Sequence, residues 1–239
     1  MKIYSSTLAP NVHVAFTTTA EGNLAGHVGD DPLNVTKNRA ALEQQLGLEN
    51  SPIAFMNQVH SNIVVDAVAP GEGEAPTADG LLSNDARQPL AVMVADCVPL
   101  AFVGVRGEGE DPITAVAHAG RRGLLDGVIE NTLSAMRDSG ATQIEAWIGP
   151  AICGRCYEVP ADMQSSSEHS RPGISSTTTW GTPALDLPKI AAEVVRKAGG
   201  VVHETHECTL ENEEYFSYRR DPQTGRLAGI VWTASEGTK

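Results

Sequence analysis

The sequence predicts one large α/β domain, and three observations support this fold class. Its 239 residues, 41% of them hydrophobic, are enough to bury a full core. Short apolar runs typical of buried strands occur along the chain together with segments whose apolar residues recur at helical spacing. No segment is repeated. We therefore expect residues 1–239 to form a single domain.

Most of the predicted strands lie in the first half of the chain. Residues 12–18 alternate as in a strand, and residues 34–46 have helical character that Gly47 ends. Further apolar runs predict strands at residues 53–60, 63–68, 90–95, 100–105 and 113–118. Between the second and third of these runs lies a loop rich in Gly, Pro and Glu.

The second half adds two helices and the last strands. Apolar residues recur at helical spacing after the segment HAGRRG, which is predicted to be a strand-to-helix turn. Residues 143–148 are a predicted strand, and Asp186 has the position of the N-cap of a helix that stops at Gly199. Residues 164–183, rich in Ser and Thr, are expected to form a mobile surface excursion that could cover a site as a lid. The run LAGIVW is a final strand that completes the sheet.

The composition argues against two classes of partner. The formal net charge of -13 opposes nonspecific binding to nucleic acid and to anionic membrane surfaces, since both require clustered Lys and Arg. The N-terminus lacks the long apolar region of a signal peptide, and Asp96 and Pro99 break the most apolar stretch, residues 89–105. We expect a cytoplasmic protein, monomeric or homodimeric, that acts on small molecules.

Three potential metal ligands, His60, Cys97 and His118, each end or follow an apolar run that is a predicted strand. The runs are IAFMNQVH, LAVMVADC and ITAVAH. Strands that end in two His and one Cys can bring one soft and two borderline donors to one sheet edge, as a zinc site with an open position requires. Polar residues lie shortly before the first two donors: Asn57 and Gln58 before His60, and Asp96 before Cys97. The sequence therefore predicts a metal-assisted enzyme.

The other cysteines are Cys153, Cys156 and Cys208. Four cysteines are too few for a disulfide scaffold in a chain of this size. The pair Cys153 and Cys156 has the spacing of half a zinc ribbon, but a second Cys-x-x-Cys is absent from the sequence. We expect free thiols beside the site rather than a structural zinc.

Six segments, in order, closely resemble one family: NQVHS, ADG, ADCVPL, HAGRRG, IGPAICGRCYEV and FSYRRDPQTGRLAGIVW. It is the multicopper polyphenol oxidoreductase, or laccase-domain, family, also described as purine nucleoside phosphorylase and adenosine deaminase-like proteins. The resemblance runs from about Phe16 to Trp232. It implies a layered α-β-β-α sandwich with mixed sheets and a zinc held by His60, Cys97 and His118.

The resemblance also implies an activity. Such a protein splits adenosine, inosine or S-methyl-5'-thioadenosine with phosphate into a free base and a ribose 1-phosphate, and it deaminates adenosine. Oxidation of polyphenols with copper is a less favoured alternative, because a laccase needs many His ligands and this chain has seven His. Zinc has no redox chemistry, so an oxidase activity would require copper in its place.

This chain departs from the family pattern at two positions. The family usually carries a glycine-rich loop of the GGVS type, whereas here FTTTAEGNLAGHVGDD passes almost directly from Thr19 to Asn23. Part of one pocket wall is therefore missing or remodelled. The family turn HAGWRG has Arg121 in place of its tryptophan, which removes a stacking surface and adds positive charge.

Phosphorolysis needs an anion pocket and groups that hold and protonate a purine. Arginines supply planar bidentate donors for phosphate, with Arg122 the first candidate and further candidates at Arg121, Arg219 and Arg220. The purine is assigned to a group of polar residues: Asn57, Gln58, Asp79 and Asp96. Asp96 is alternatively a residue that orients a metal ligand. His27 matches the family loop and is expected near the pocket.

Two other hypotheses remain open. One keeps the residues and changes the reaction, with Cys97 as nucleophile and His118 as base in a metal-free cysteine hydrolase. Bacterial members of the resembled family are described as editing factors that remove a wrongly installed serine from a nucleotide-linked muramyl precursor of peptidoglycan. The other hypothesis is a non-catalytic module that senses a nucleoside or a partner protein.

Overall fold

The computed structural model describes residues 1–71 and 73–234, and these form a mixed α/β structure. The first half contains the following elements: β1 (Lys2–Ser5), β2 (Val12–Phe16), α1 (Pro32–Leu46), β3 (Val64–Asp66), β4 (Gly80–Ser83), β5 (Leu90–Val94), β6 (Val98–Val105) and β7 (Ile113–Ala119). The second half contains α2 (Arg121–Leu125), α3 (Val128–Asp138), β8 (Gln143–Ile148), α4 (Ala161–Ser170), β9 (Ser175–Thr177), β10 (Pro183–Leu185), α5 (Leu187–Lys197), β11 (Val201–Glu204) and β12 (Leu227–Thr233).

Two sheets form the centre of the fold. The larger has the strand order β11-β8-β6-β7-β4-β3, and it is mixed because β11 and β8 are parallel, as are β3 and β4, while the other neighbours are antiparallel. The smaller is antiparallel with the order β1-β2-β12-β5. The predicted final strand thus lies inside the smaller sheet rather than at its edge.

The alternation of side chains along β6 explains the layering. Leu100 and Phe102 face a core shared with the helices α3 and α5, whereas Ala101 and Val103 face a second core shared with the smaller sheet. The far side of the smaller sheet packs against α1 through a third core that includes Leu42. The order of layers is therefore helix, sheet, sheet, helix, and the expected α-β-β-α sandwich with mixed sheets is confirmed.

The predicted helices agree with the structure in type and position, except that the helix predicted after HAGRRG is divided at Gly127 into α2 and α3. Helix α1 begins after Asp31, whose side chain accepts a hydrogen bond from the Leu33 amide, and it ends at Gly47 in the left-handed conformation. Asp186 caps α5 by accepting from the amide of Lys189. The HAGRRG segment does pass from strand β7 into helix α2.

One predicted strand is wrong. Residues 53–60 form no ladder but only isolated bridges, from Ala54 to Leu90 and from Asn57 to Thr77. The backbone turns into the left-handed region at His60, with a φ of 59°, which is incompatible with a continuing strand. The buried residues of this run, Ile53, Ala54 and Met56, therefore lie in the core without pairing along a ladder.

Residues 164–183 contain regular structure, contrary to the expected irregular excursion. Helix α4 occupies the first part, and strand β9 pairs antiparallel with β10. The side chain of Gln164 ties the two parts together by donating to the carbonyls of Ser176 and Ala184.

None of the described helices combines the length and the apolar content needed to cross a bilayer.

Candidate metal centre

His60, Cys97 and His118 come from three different parts of the chain and converge at one place. Cys97 lies in the turn between β5 and β6, His118 lies in β7 opposite Pro99 of β6, and His60 lies in the loop before β3. One donor atom from each of the three lies within 4.8 Å of the others. The Cys97 Sγ is 3.8 Å from the His60 Nε2, and the two imidazole rings are 4.7 Å apart. The arrangement can hold one metal ion.

Asp79 orients two of these three donors. Its carboxylate is fully buried and accepts from Nδ1 of His118 at 2.8 Å and from the backbone amide of His60 at 3.0 Å. It also accepts from the amide of Val59 and from both the amide and the hydroxyl of Ser61. Burial opposes ionisation of Asp79, but the hydrogen bonds from His118 and Ser61 lower its pKa overall. The carboxylate therefore fixes the left-handed turn at His60 and leaves the other nitrogen of His118 to face Cys97.

Gly120 permits the close approach of these groups. A Cβ atom at this position would lie 2.6 Å from Cδ2 of His60 and 3.1 Å from Sγ of Cys97. The backbone of Gly120 has a φ of -68°, which any residue can adopt, so the requirement for glycine is steric. Gly120, directly before α2, thus forms one wall of the donor cluster.

The electrostatics of Cys97 and His118 are coupled. Burial alone would keep the thiol neutral, but the charge of His118 and hydrogen bonds from both histidines lower the pKa of Cys97 to about 6. Burial likewise disfavours the imidazolium, yet Cys97 and Asp79 together raise the pKa of His118 to about 9. Without a metal the two side chains favour a thiolate–imidazolium pair, and the thiolate is the form that binds metals.

A cavity of about 360 Å³ opens beside the three donors. Its volume is typical of small-molecule sites, roughly 300–1,000 Å³. Besides the donors, it is lined by His27, Gln58, Met93, Val94, Ala95, Tyr218 and Arg226. None of residues 164–183 lines this cavity, so the structure gives no support for that segment as its lid.

His27 and Arg226 are the basic residues of the cavity. Burial and the positive charges of Arg226 and Arg39 lower the pKa of His27, so its imidazole is neutral at neutral pH. Nη1 of Arg226 donates to the carbonyls of Thr224 and Gly225. Within the part of the chain that the structure describes, Nε and Nη2 of Arg226 have no hydrogen-bond partner and are free to bind an anion.

Of the two polar residues predicted before His60, one lines the cavity and the other does not. Gln58 lines the cavity, but its amide group bonds both the N–H and the carbonyl of Met93 and so anchors the loop to β5. Asn57 is exposed and donates to the carbonyl of Ala75. It therefore supports the neighbouring loop and does not line the cavity.

Asp96 is buried directly before Cys97, but its carboxylate is turned to the protein. It accepts 2.6 Å hydrogen bonds from the hydroxyl of Thr209 and from the backbone amide of Arg219. The residue has a φ of 85°, a strained value for a residue other than glycine, and these two bonds hold it there. Asp96 thus connects the Cys97 turn to residues 209–219, and Asp79 is the carboxylate that orients the histidines.

The candidate phosphate-binding arginines lie outside the cavity lining. The exposed side chain of Arg122 lies 3.8 Å from the carboxylate of Asp126. Arg219 donates to the carbonyl of Glu158, and its guanidinium stacks over the ring of Tyr157 at 5.2 Å. The guanidinium of Arg220 is occupied by three backbone carbonyls, those of Thr209, Leu210 and Tyr215. Arg121, the replacement for the family tryptophan, is half-buried and does not line the cavity either.

Sequence reasoning missed Arg226, the basic residue best placed to meet an anion. It stands in the TGR turn directly before β12, and its backbone amide donates to Oδ1 of Asn23. The signal available in the sequence was a basic residue directly before the predicted strand LAGIVW. Tyr218, 5.9 Å from the Arg226 guanidinium, closes the same side of the cavity.

Comparisons with known proteins identify the family of this chain. Residues 12–234 match the model of the multi-copper polyphenol oxidoreductase laccase family. A Streptomyces griseus protein named purine nucleoside phosphorylase is 41% identical over 93% of this chain and 94% of its own length, and a Streptomyces coelicolor protein of the same name is 42% identical over 89% of this chain and 88% of its own length. The crystal structure of a Neisseria meningitidis protein of the DUF152 family is similar, with a TM-score of 0.79 and 33% identity over 97% of this chain and 96% of that chain. The chain therefore belongs to the laccase-like family of multi-copper polyphenol oxidoreductases.

Proposed function

We propose that this chain is a zinc-dependent purine nucleoside phosphorylase that acts on adenosine, inosine or S-methyl-5'-thioadenosine. The observation that carries the proposal is that Arg226 lines the same cavity of about 360 Å³ as the His60, Cys97 and His118 cluster. A chain with a net charge of -13 repels phosphate overall, so an anion needs such a local cationic site. The names of the Streptomyces relatives support the same reaction.

The donor set fits zinc. Two imidazoles and one thiolate leave a fourth position open, which is the usual composition of a catalytic zinc site. Asp79 bonded to Nδ1 of His118 is the carboxylate–histidine partner typical of such sites. When bound, the metal supplies Lewis-acid polarisation of a substrate oxygen.

The cavity is lined by both basic and apolar residues. Arg226 supplies a guanidinium that binds phosphate in a bidentate manner and neutralises its charge beside the sugar. In the proposed reaction His27, whose pKa is lowered, donates a hydrogen bond from its ring N–H to the departing purine, which gains negative charge as the glycosidic bond breaks. Met93 and Val94 offer apolar surface to the base, and the ring of Tyr218 lies beside Arg226. We propose deamination of adenosine to inosine as a side activity of the same site.

Product analysis tests the proposal. Zinc-loaded protein is incubated with each of the three nucleosides, with and without phosphate, and the products are separated by chromatography. We expect free base and a ribose 1-phosphate only with phosphate, and inosine from adenosine under both conditions. Cys97→Ala removes the thiolate donor and should abolish both reactions. Release of base at the same rate without phosphate would contradict the phosphorylase.

A second candidate function rests on a specific observation. Asp79, His118 and Cys97 stand in the order of an acid–histidine–cysteine triad, and the pKa of Cys97 is lowered to about 6 beside His118. This geometry would serve a cysteine amidase, and the editing factors of the resembled family suggest the serine-containing muramyl precursor as its substrate. Such a hydrolase needs neither zinc nor phosphate. Hydrolysis of that precursor by exhaustively chelated protein, blocked by alkylation of Cys97, would support the amidase.

Copper oxidation of polyphenols fits the donor set less well. Two His and one Cys can hold a single copper, but a laccase combines several coppers on many histidines. In the described residues, His60 and His118 are the histidines that belong to a group of potential metal ligands. Oxygen consumption with a phenol by copper-loaded protein, and not by zinc-loaded protein, would establish this alternative.

A further inference from the structure

A second group of potential metal ligands lies away from the cavity. Cys153, Cys156, Cys208 and Glu211 each place one donor atom within 4.8 Å of the others. The thiol of Cys156 is 3.3 Å from the carboxylate of Glu211, and the amide of Cys153 is 3.4 Å from Sγ of Cys208. The four side chains therefore form one compact cluster of three sulfurs and one carboxylate.

The backbone of the cluster is fixed by two loops. The amides of Cys156 and Tyr157 both donate to the carbonyl of Cys153, which forms a tight turn that presents two thiols on one side. Cys208 pairs with Ala151 in an isolated bridge, and the Asn212 amide donates to the Cys208 carbonyl. The pair Cys153 and Cys156 is thus completed by Cys208 and Glu211, which lie more than fifty positions further along the chain.

We propose that this cluster is a second metal site, structural in role, which takes a zinc ion through four side chains: Cys153, Cys156, Cys208 and Glu211. Four ligands at zinc–sulfur and zinc–oxygen distances lie about 3.5–4 Å from one another, so donors already within 4.8 Å need only small side-chain movements. Thiolate-rich sets of this kind select zinc over hard cations such as Mg²⁺ and Ca²⁺. Binding releases the thiol protons to solvent.

The surroundings suit a structural site. Cys156 and Cys208 are buried together with Ile152, whereas Glu211 is exposed and gives the ion a path of entry. Arg155 lies 3.7 Å from the Glu211 carboxylate and competes with the metal for it, but both side chains are largely exposed. A closed set of four protein ligands leaves no open position, so the site supplies stability rather than catalysis.

The position of the cluster relates it to the first site. The loop of Cys153 and the loop of Cys208 both hold Asp96, through the Ile152 amide at 2.9 Å and the Thr209 hydroxyl at 2.6 Å. Asp96 directly precedes Cys97. A metal that joins the two loops therefore also fixes the turn that presents Cys97 to the cavity.

Metal content and thiol protection test the second site. Protein purified under reducing conditions is equilibrated with Zn²⁺, freed of excess metal and analysed for zinc by mass spectrometry. We expect close to two zinc ions per chain, and one per chain for Cys97→Ala, whose thiol belongs to the first site. In the Cys97→Ala background, Co²⁺ should give the intense absorption of a tetrahedral thiolate complex, and bound zinc should protect the three remaining thiols from a disulfide reagent.

Two glutamate variants keep the test independent of folding. Glu211→Gln removes an exposed ligand and should weaken zinc binding in the Cys97→Ala background by more than about tenfold, since even the loss of an outer partner costs that much. Glu213→Gln, at a neighbouring exposed residue, should leave it unchanged. Equal zinc affinity in the two variants, thiols that react equally fast with and without zinc, a disulfide among the three cysteines or an iron–sulfur chromophore would each overturn the proposal.

Discussion

The carboxylate of Asp79 accepts a 2.8 Å hydrogen bond from Nδ1 of His118, and through its other bonds it fixes the backbone of His60. One buried side chain thereby positions two of the three metal donors. The third, Cys97, is positioned by the turn that Asp96 holds. The geometry of the candidate metal centre therefore depends on two carboxylates that face the protein rather than the cavity.

Asp79→Asn should weaken both the fold and metal binding. The amide cannot accept all the N–H and O–H groups that now meet the carboxylate, and the buried donors left without partners cost roughly 1–3 kcal/mol of unfolding free energy. Metal affinity should fall by about 10- to 100-fold, because His118 loses its orienting partner. Denaturant unfolding and zinc titration measure the two effects. The control Asp126→Asn, at an exposed carboxylate, should change neither quantity. An unaltered zinc affinity in Asp79→Asn would show that Asp79 does not orient the metal ligands.

Arg226→Ala should raise the KM for phosphate in the phosphorylase assay. The loss of a charge-assisted hydrogen bond in the half-buried cavity corresponds to roughly 10- to 100-fold. Steady-state kinetics with phosphate as the varied substrate measures it. The matched control is Arg122→Ala, since that side chain is exposed and outside the cavity, and its KM should stay within about twofold of the parent. A larger increase of the KM for phosphate in Arg122→Ala than in Arg226→Ala would place the anion site at the start of α2.

Gly120→Ala should disrupt the metal centre without straining the backbone. The added methyl group meets the ring of His60 and the sulfur of Cys97 at distances well below van der Waals contact. We expect zinc affinity to fall by more than about tenfold, with activity lost in parallel. Gly26→Ala is the control, because a Cβ there has no neighbour within 4 Å. Zinc titration of the two variants gives the answer, and equal affinities would show that the His60 loop simply moves aside.

The sequence pattern alone predicts those helices and strands whose buried residues recur at regular spacing. Helix α5 and strands β6, β7 and β8 have long apolar runs or regular spacing, and each was predicted close to its observed bounds. Strands β1, β4 and β11 have only four residues each and were missed, because so short a run carries no periodicity of its own. The helix α4 was missed because its single buried residue is Ser167.

Local sequence patterns predict even less of the candidate site. His60, Cys97 and His118 could be chosen because each follows an apolar run, yet the run before His60 is not a strand. The roles of Asp79 and Arg226 depend on contacts with residues many positions away, such as His118 and Asn23, which no local pattern contains. The same is true of Cys208, which reaches Cys153 across 55 positions.

A last prediction concerns Glu145 of β8, a buried carboxylate far from the candidate metal centre. It accepts hydrogen bonds from the hydroxyls of Ser6 and Thr7 and from the amides of Thr7 and Leu8, and so attaches the N-terminal loop to the larger sheet. Burial opposes its ionisation, but these bonds lower its pKa below the ordinary value of 4.5. A lowered pKa means that the unfolded state binds more protons, so the stabilisation is complete above pH 4.5 and disappears as the pH falls through the lower, folded-state pKa.

Glu145→Gln removes this titration. At neutral pH we expect the free energy of unfolding to fall by roughly 1–3 kcal/mol, because the amide is uncharged and only one of its two terminal groups can accept the hydrogen bonds that the carboxylate now accepts. Below pH 4.5 the difference from the parent protein should shrink, since the parent carboxylate is then protonated as well. Denaturant unfolding at a series of pH values measures both curves, with Glu213→Gln as the exposed control. A constant difference at every pH would show that the side chain acts through its shape alone and that its charge contributes nothing to holding the N-terminal loop.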